Sequence, residues 1–402
     1  MNTRRPSRGP RARRSEAFTI TEILVVIAII VLLIAIAVPA FSSLLGSSER
    51  SLAENQLKAA IAAARDAAKQ SETGDAAVVF TFTLASSTGA GGHITMIPCI
   101  VAGSMTDVID PSQGASAANN HRREIFVPIP TIEPTQLPRG WSVRGFAAPG
   151  TIYNGAPGSE PWYELYPAAT GAPDARTHRT GNWVFPETAF YDSTGAGGPS
   201  ASSTGGARQS FMIRFKAGSG ELDTGDTNSA LFFDPVADAR FRGPSPYHEY
   251  RADQLSLENK VAPNAMTWVR RFLSDRADPD SDTADQRRQK ILGDQALDTV
   301  LVRPVTELAL YNERSMAAAI GATSLNKTTG TIYGDPTGAM PLRPLIDTSL
   351  FGAGAAADEV SDRVDQWIFG KYMPNGAATP VPSDAKIFTV ERYLGQAQEL
   401  IP

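Results

Sequence analysis

Residues 18–41 read FTITEILVVIAIIVLLIAIAVPAF. Within them, Ile23 to Phe41 form a run of 19 residues with no charge and no strongly polar side chain. A helix rises about 1.5 Å per residue, so this run nearly matches the ~30 Å hydrocarbon core of a bilayer. Upstream, residues 1–17 carry six arginines, Arg4, Arg5, Arg8, Arg11, Arg13 and Arg14, against one acid, Glu16. Under the positive-inside rule that asymmetry keeps the N-terminus in the cytoplasm and exports the chain beyond residue 46. The expected topology is a single-pass membrane protein with an exported body.

Three readings of the segment compete. A cleavable secretory signal would use the small residues around Val38-Pro39-Ala40, but the apolar run exceeds the usual h-region of about 7–15 residues. A plain single-span anchor accounts for the length and nothing more. The third reading has to account for Glu22, which stands one step before the apolar run. A carboxylate at the membrane edge of a spanning helix costs free energy and is rarely placed there without a partner.

On these residues the segment resembles the N-terminus of the type IV pilin-like prepilins, the family shared by pilins and type II secretion pseudopilins. There a basic leader precedes a small residue, then Phe-Thr, a glutamate at the fifth mature position and often a proline at the twenty-second. Counting Phe18 as first, Glu22 is fifth and Pro39 twenty-second. The resemblance implies removal of a leader, residues 1–17, by a prepilin peptidase cutting between Ala17 and Phe18, with N-methylation of Phe18. It also implies that the membrane is the inner one and the body periplasmic, with extraction by an inner-membrane assembly platform and bundling with other pilins or pseudopilins in a filament. Glu22 would then face the cationic amine of a neighbour's Phe18. Ala17 stands where glycine is usual, and Ile20-Thr21 where Leu-Ile is commoner. Pro39 removes one helix hydrogen bond and predicts a kink or a loosened turn.

Beyond the apolar run, Leu57, Ile61, Ala64 and Ala68 recur at helical spacing, with Lys58, Arg65, Asp66 and Lys69 largely off that stripe. One helix over residues 18–72 is expected, of which 18–45 is transmembrane; the alternative is two helices broken near Gly46. After Gly74 the period changes to two. Strands are predicted at Ala76–Leu84, His93–Val101, Glu124–Pro128, Gly140–Ala147, Asn182–Phe185, Ser210–Lys216, Ala230–Phe233 and Asp298–Leu310. A short helix is predicted at Glu313–Ile320 and a last strand at Lys386–Leu394. The fold class expected is α+β: a long N-terminal transmembrane and amphipathic helix packed on a mostly antiparallel, pilin-like β-sheet head. That head would span 73–240, with 241–402 a loop-rich C-terminal elaboration.

A finer likeness lies in QLKAAIAAARDAAKQSETGDAAVVFTFT at 56–83 and FMIRFKAGSGE at 211–221. Both are similar to segments of the H-type minor pseudopilins of type II secretion. The function this implies is a structural subunit, a minor pseudopilin; the alternative is a minor type IV pilin acting as an adhesin or DNA-uptake component.

Composition narrows the rest. The chain has 402 residues, 42% of them hydrophobic, and a net charge of −5. Without residues 1–17, thirty-one basic face forty-one acidic residues, a charge of −10. Such an acidic body disfavours sequence-blind nucleic-acid binding. The single cysteine, Cys99, excludes an internal disulfide and a Cys-rich metal site. No constellation supports catalysis, so the chain is read as a non-enzyme without a cofactor. His248-Glu249 lacks a second zincin histidine, and the Ser-Thr-Gly-Ala-Gly-Gly runs at 87–92 and 193–198 lack the Gly-Lys-Ser/Thr ending of a phosphate loop. Asp278, Asp280 and Asp282 form a weak Ca²⁺ candidate, because the glycine and glutamate of an EF-hand are replaced by Thr283 and Gln289. Trp162, Tyr163 and Tyr166 could form a ligand platform or a core contact.

Overall fold

The computed structural model describes residues 19–72, 74–83, 92–106, 122–147, 182–186, 209–224, 230–233, 299–334, 345–352, 356–374 and 376–400. Leucine, isoleucine, valine and alanine dominate the first of these stretches, and Ile20–Gln70 is one α-helix, α1. It runs through positions 39 and 46 without interruption, so the two-helix alternative does not form. The chain divides into two compact units, residues 1–51 and 52–402. In the first, Ile20–Val38 is long and apolar enough to span a membrane, and none of it is buried. Ile23, Leu24, Val25, Val26 and Ile27 are all at least half exposed. Five consecutive residues point in every direction around a helix, so this surface is apolar all round.

The second unit begins with the rest of α1, whose pattern differs. Ala53, Leu57, Ala60, Ile61, Ala64 and Ala68 are buried along one stripe. Alanines at four of the six places let the backbone lie close to its neighbours. Lys58 sits over the Phe388 ring at 5.6 Å, and the Arg65 guanidinium donates to the Leu394 carbonyl. Lys386 bridges Glu54 of the helix and Glu399, each at 2.8 Å. Two glycine turns close on the last helical turns. At Gly220 (φ +66°) a Cβ would lie 2.7 Å from the Lys69 side chain, and at Gly395 (φ +57°) 2.5 Å from that of Arg65. Both positions therefore need glycine for conformation and for space.

The β strands are β1 (Ala76–Thr83), β2 (His93–Thr106), β3 (Arg122–Pro128), β4 (Thr135–Gln136), β5 (Trp141–Ala147), β6 (Asn182–Val184) and β7 (Gln209–Phe215). After them come β8 (Ala230–Phe233), β9 (Thr299–Pro304) and β10 (Glu307–Asn312). The C-terminal part adds α2 (Glu313–Ala319), β11 (Tyr333–Gly334), β12 (Leu345–Ile346), a 3₁₀ turn at Thr348–Leu350, α3 (Ala357–Ile368), β13 (Lys386–Val390) and β14 (Ala397–Leu400). Strands β1-β7-β9-β8-β3-β2 pair in that order, and β2 pairs back to β1, which closes a six-stranded barrel; β4 attaches to β2 outside the ring. Two of the pairings, β3–β8 and β7–β9, are parallel. The interior takes residues from all six strands: Ala77 and Val79, Ile97 and Cys99, Phe126, Met212, Ala230 and Phe232, Val300 and Val302. The alternate residues of β1, Ala76, Val78, Phe80 and Phe82, join the α1 stripe and the second sheet in a separate core.

That second sheet is five-stranded and antiparallel, in the order β14-β13-β10-β5-β6. The segment expected as one strand at 298–310 is two. Pro304 ends β9 in the barrel, and after Val305-Thr306 the chain enters β10 in the second sheet.

The expected fold class is therefore corrected. The N-terminal helix is present, but the body is a closed barrel with a second sheet, not a pilin-like helix on a sheet head. Nor is the C-terminal part an elaboration, because it supplies β9 to the barrel and β10, β13 and β14 to the second sheet. The physical reason lies in β1. Residues 76–80, Ala-Ala-Val-Val-Phe, are buried on both faces. A strand with one wet face alternates, whereas a strand covered on both sides reads as a continuous apolar run. Strand positions are local properties; which strands pair, and whether the ring closes, depends on contacts such as Gln209 with Leu301 that periodicity does not encode.

Candidate functional site

The N-terminal turn of α1 carries the one sequence-derived site with described geometry. Thr19-Ile20-Thr21-Glu22 has the Ser/Thr-x-x-Glu spacing of a capping box. Glu22 Oε2 accepts from the Thr19 backbone N–H at 2.9 Å and from the Thr19 hydroxyl at 2.8 Å, while the Glu22 N–H donates to Thr19 Oγ1 at 3.3 Å. Two otherwise orphaned helix N–H groups are thus satisfied reciprocally. Glu22 is therefore the helix's own cap, and its carboxylate remains exposed. The Thr-x-x-Glu spacing at 19–22 carries that signal in the sequence. Position 39 lies within α1; Ala17, Phe18 and the leader 1–17 lie outside the described residues.

In the second unit a buried polar constellation surrounds Arg144 of β5. Although buried, its guanidinium donates from Nε to the Tyr311 hydroxyl at 3.0 Å, from Nη1 to the Trp183 carbonyl at 3.1 Å and from Nη2 to the Tyr333 hydroxyl at 2.6 Å. Tyr311 in turn donates to Glu313 Oε1 at 3.2 Å. The rings of Phe185, Tyr311 and Tyr333 flank the cation at 5.5–5.7 Å. Burial raises the Glu313 carboxyl above the usual range, opposed by hydrogen bonding and by Arg144, and it raises the Tyr311 and Tyr333 phenols as well. This arrangement ties β5, β6, β10, α2 and β11 together; sequence reasoning missed it because its members lie up to 189 residues apart.

One end of the barrel is closed by Arg214 of β7. It pairs with Asp75 at 2.7 Å, Glu124 at 2.6 Å and Asp223 at 3.4 Å, and its guanidinium lies over Phe126. Near the opposite end, Ser210 donates to the Phe80 carbonyl. Cys99 is buried inside the barrel, donates to the Ala77 carbonyl at 3.2 Å, and has its thiol pushed up by burial, which makes it inert.

Among the described residues no three His, Cys, Asp or Glu side chains converge as a metal site. The Ca²⁺ candidate Asp278, Asp280 and Asp282, the aromatics Trp162, Tyr163 and Tyr166, His248-Glu249 and the glycine run at 193–198 lie outside the described residues. Of the run at 87–92 only Gly92 is described, and its N–H donates to the Thr329 carbonyl at 2.8 Å. No protein-family model matches the chain, and neither a curated protein nor a solved structure does.

Proposed function

We propose that this chain is a membrane-anchored structural subunit of a pilin-like filament, a minor pseudopilin of type II secretion, carrying a barrel-containing head. The observation that carries the reading is the register of residues 17–39. A small residue after an arginine-rich leader, a glutamate at the fifth place from Phe18, and an unbroken apolar helix recur together. The leader stays cytoplasmic and the head is periplasmic. A prepilin peptidase removes residues 1–17 and the new Phe18 amine is methylated. Assembly exchanges lipid for neighbouring helices around Ile20–Val38 and places Glu22 beside a neighbour's amine. A bulky head packs poorly in a repeating shaft, so the subunit sits at or near the filament tip.

The decisive experiment is mass spectrometry of the N-terminus of protein from native membranes. A mature chain beginning at N-methylated Phe18 is expected. A chain beginning at Phe41 would mean ordinary signal-peptidase release, and an uncut Ala17 a plain anchor; either ends the filament reading. Given cleavage at Phe18, co-purification with a secretion pseudopilus rather than a surface pilus separates the two filament classes.

A further inference from the structure

The barrel closes on itself, but the second sheet is open and ends in β6 on one side and β14 on the other. The two edges differ. On β6 the main chain of Trp183 is taken up by side chains: its N–H donates to Asp365 of α3 at 3.2 Å, and its carbonyl accepts from Arg144 at 3.1 Å. On β14 the Glu391 N–H donates to the Gln396 carbonyl at 3.0 Å, which sets the phase of the β13–β14 ladder. Main-chain groups alternate in direction along an antiparallel ladder. Gln396, Gln398 and Leu400 therefore turn theirs to β13, and Ala397 and Glu399 turn theirs outward. Among the described residues nothing bonds to those outward groups. Nor does β14 carry the usual edge protection: it has no proline, no lysine and no bulge, and its one charge, Glu399, is matched by Lys386 at 2.8 Å. At one end of the strand Leu400 is 47% exposed; at the other, the β13–β14 turn exposes Tyr393 by 68% and Leu394 by 54%. That turn is held firmly. The Gly395 and Leu394 N–H groups donate to the Glu391 carbonyl and carboxylate at 2.8 and 3.1 Å, and the Leu222 N–H donates to the Arg392 carbonyl at 2.8 Å.

We propose that β14 is a self-association edge, to which a second copy of this chain adds its own β14, antiparallel, about a two-fold axis at Gln398. In that register Ala397 of each copy faces Glu399 of the other, and every outward N–H meets a carbonyl. A two-fold at Glu399 would set like charges directly opposite. One at Ala397 would leave Glu399 against Gly395, whose N–H is already engaged within the turn. The axis at Gln398 also brings Leu400 of each copy opposite Gln396 of the other, next to that copy's Tyr393–Leu394 turn. The apolar residues at the two ends of one strand thus cover those of its mate, as an isologous contact requires. This self-complementarity selects a second copy over an unrelated strand. The joined sheet runs unbroken from β6 of one copy to β6 of the other. The pairing concerns the body alone and does not depend on the filament reading.

The test is disulfide trapping in the full chain, in native membranes and in detergent micelles, under a mild oxidant. Gln398→Cys places a thiol opposite its own symmetry mate at the roughly 4.5–5.5 Å Cα spacing of facing strand residues, within disulfide range. Met373→Cys, exposed but outside the sheet, is the control, and the native Cys99 is buried. A linked dimer is expected from Gln398→Cys and not from Met373→Cys. Adding Ala397→Pro removes an outward donor while leaving the bonds to β13, and it should abolish the dimer. No dimer from Gln398→Cys, equal trapping in the control, a link only to a different protein, or trapping that survives in a folded proline variant overturns the proposal. Should the proline variant fail to fold, a charge swap decides. In micelles, neither Gln398→Lys nor Gln398→Glu should capture a differently tagged copy of itself, and the two should capture each other; failure of the mixed pair overturns the two-fold at Gln398.

Discussion

The two halves of α1 obey one backbone geometry and two solvents. From Ile23 to Val38 the helix is apolar on every face and buried on none; from Leu52 to Gln70 it buries a narrow stripe and leaves Lys58, Asp66 and Lys69 off it. A helix with an apolar stripe can satisfy itself against a folded body, whereas one apolar all round needs lipid or other helices. The first half thus looks to its surroundings for stability, and the second to the chain's own core.

Truncating the stripe should have the largest effect. Leu57→Ala removes a buried side chain between α1 and the shared core and is expected to lower unfolding free energy by about 2–5 kcal/mol, read by denaturant titration in detergent. The same truncation at Leu33 should leave the titration unchanged, and a comparable loss there would break the comparison. Next is Ile30→Asp. A carboxylate in the middle of the apolar run should cost about 2.5–3.5 kcal/mol of membrane insertion while leaving the body's melting untouched, seen as a shift from membrane to soluble fractions. Gly395→Ala is expected to cost about 1–2 kcal/mol, because φ is +57° and its Cβ would press on Arg65; a neutral result would mean the turn yields easily. The smallest effect belongs to Lys386→Met. Its bridge to Glu54 and Glu399 is partly exposed, so about 0–1 kcal/mol is expected, declining further at high salt.

Much of the secondary structure was legible. The strand at Ala230–Phe233 falls where it was expected, and β3, β5, β7 and the short helix α2 lie within one or two residues of their predicted bounds. The misses have separate causes. Two-residue strands such as β4 and β11 are too short for a period, and α3, a twelve-residue helix at Ala357–Ile368, was not among the expected elements. The site was legible only in part. Glu22 stood out as a charge beside an apolar run, yet its bond to Thr19 needed the helix start to be seen. Arg144 gave no local signal, since an arginine in Trp-Ser-Val-Arg-Gly-Phe looks like any solvent-facing strand residue until Tyr311, Glu313 and Tyr333 are brought around it.

Sequence alone determined the apolar length of residues 23–41, the register of Phe18, Glu22 and Pro39, and the change from helical to alternating period after Gly74. Each depends on neighbours within a few turns, and local sterics and hydrophobic spacing settle such matters. Tertiary structure decided that β1 pairs with both β2 and β7, that β9 and β10 part company at Pro304, and that a buried arginine finds phenols for partners. Those outcomes join residues tens to hundreds of positions apart, and only the folded core, where burial makes each polar group find a partner, selects among them.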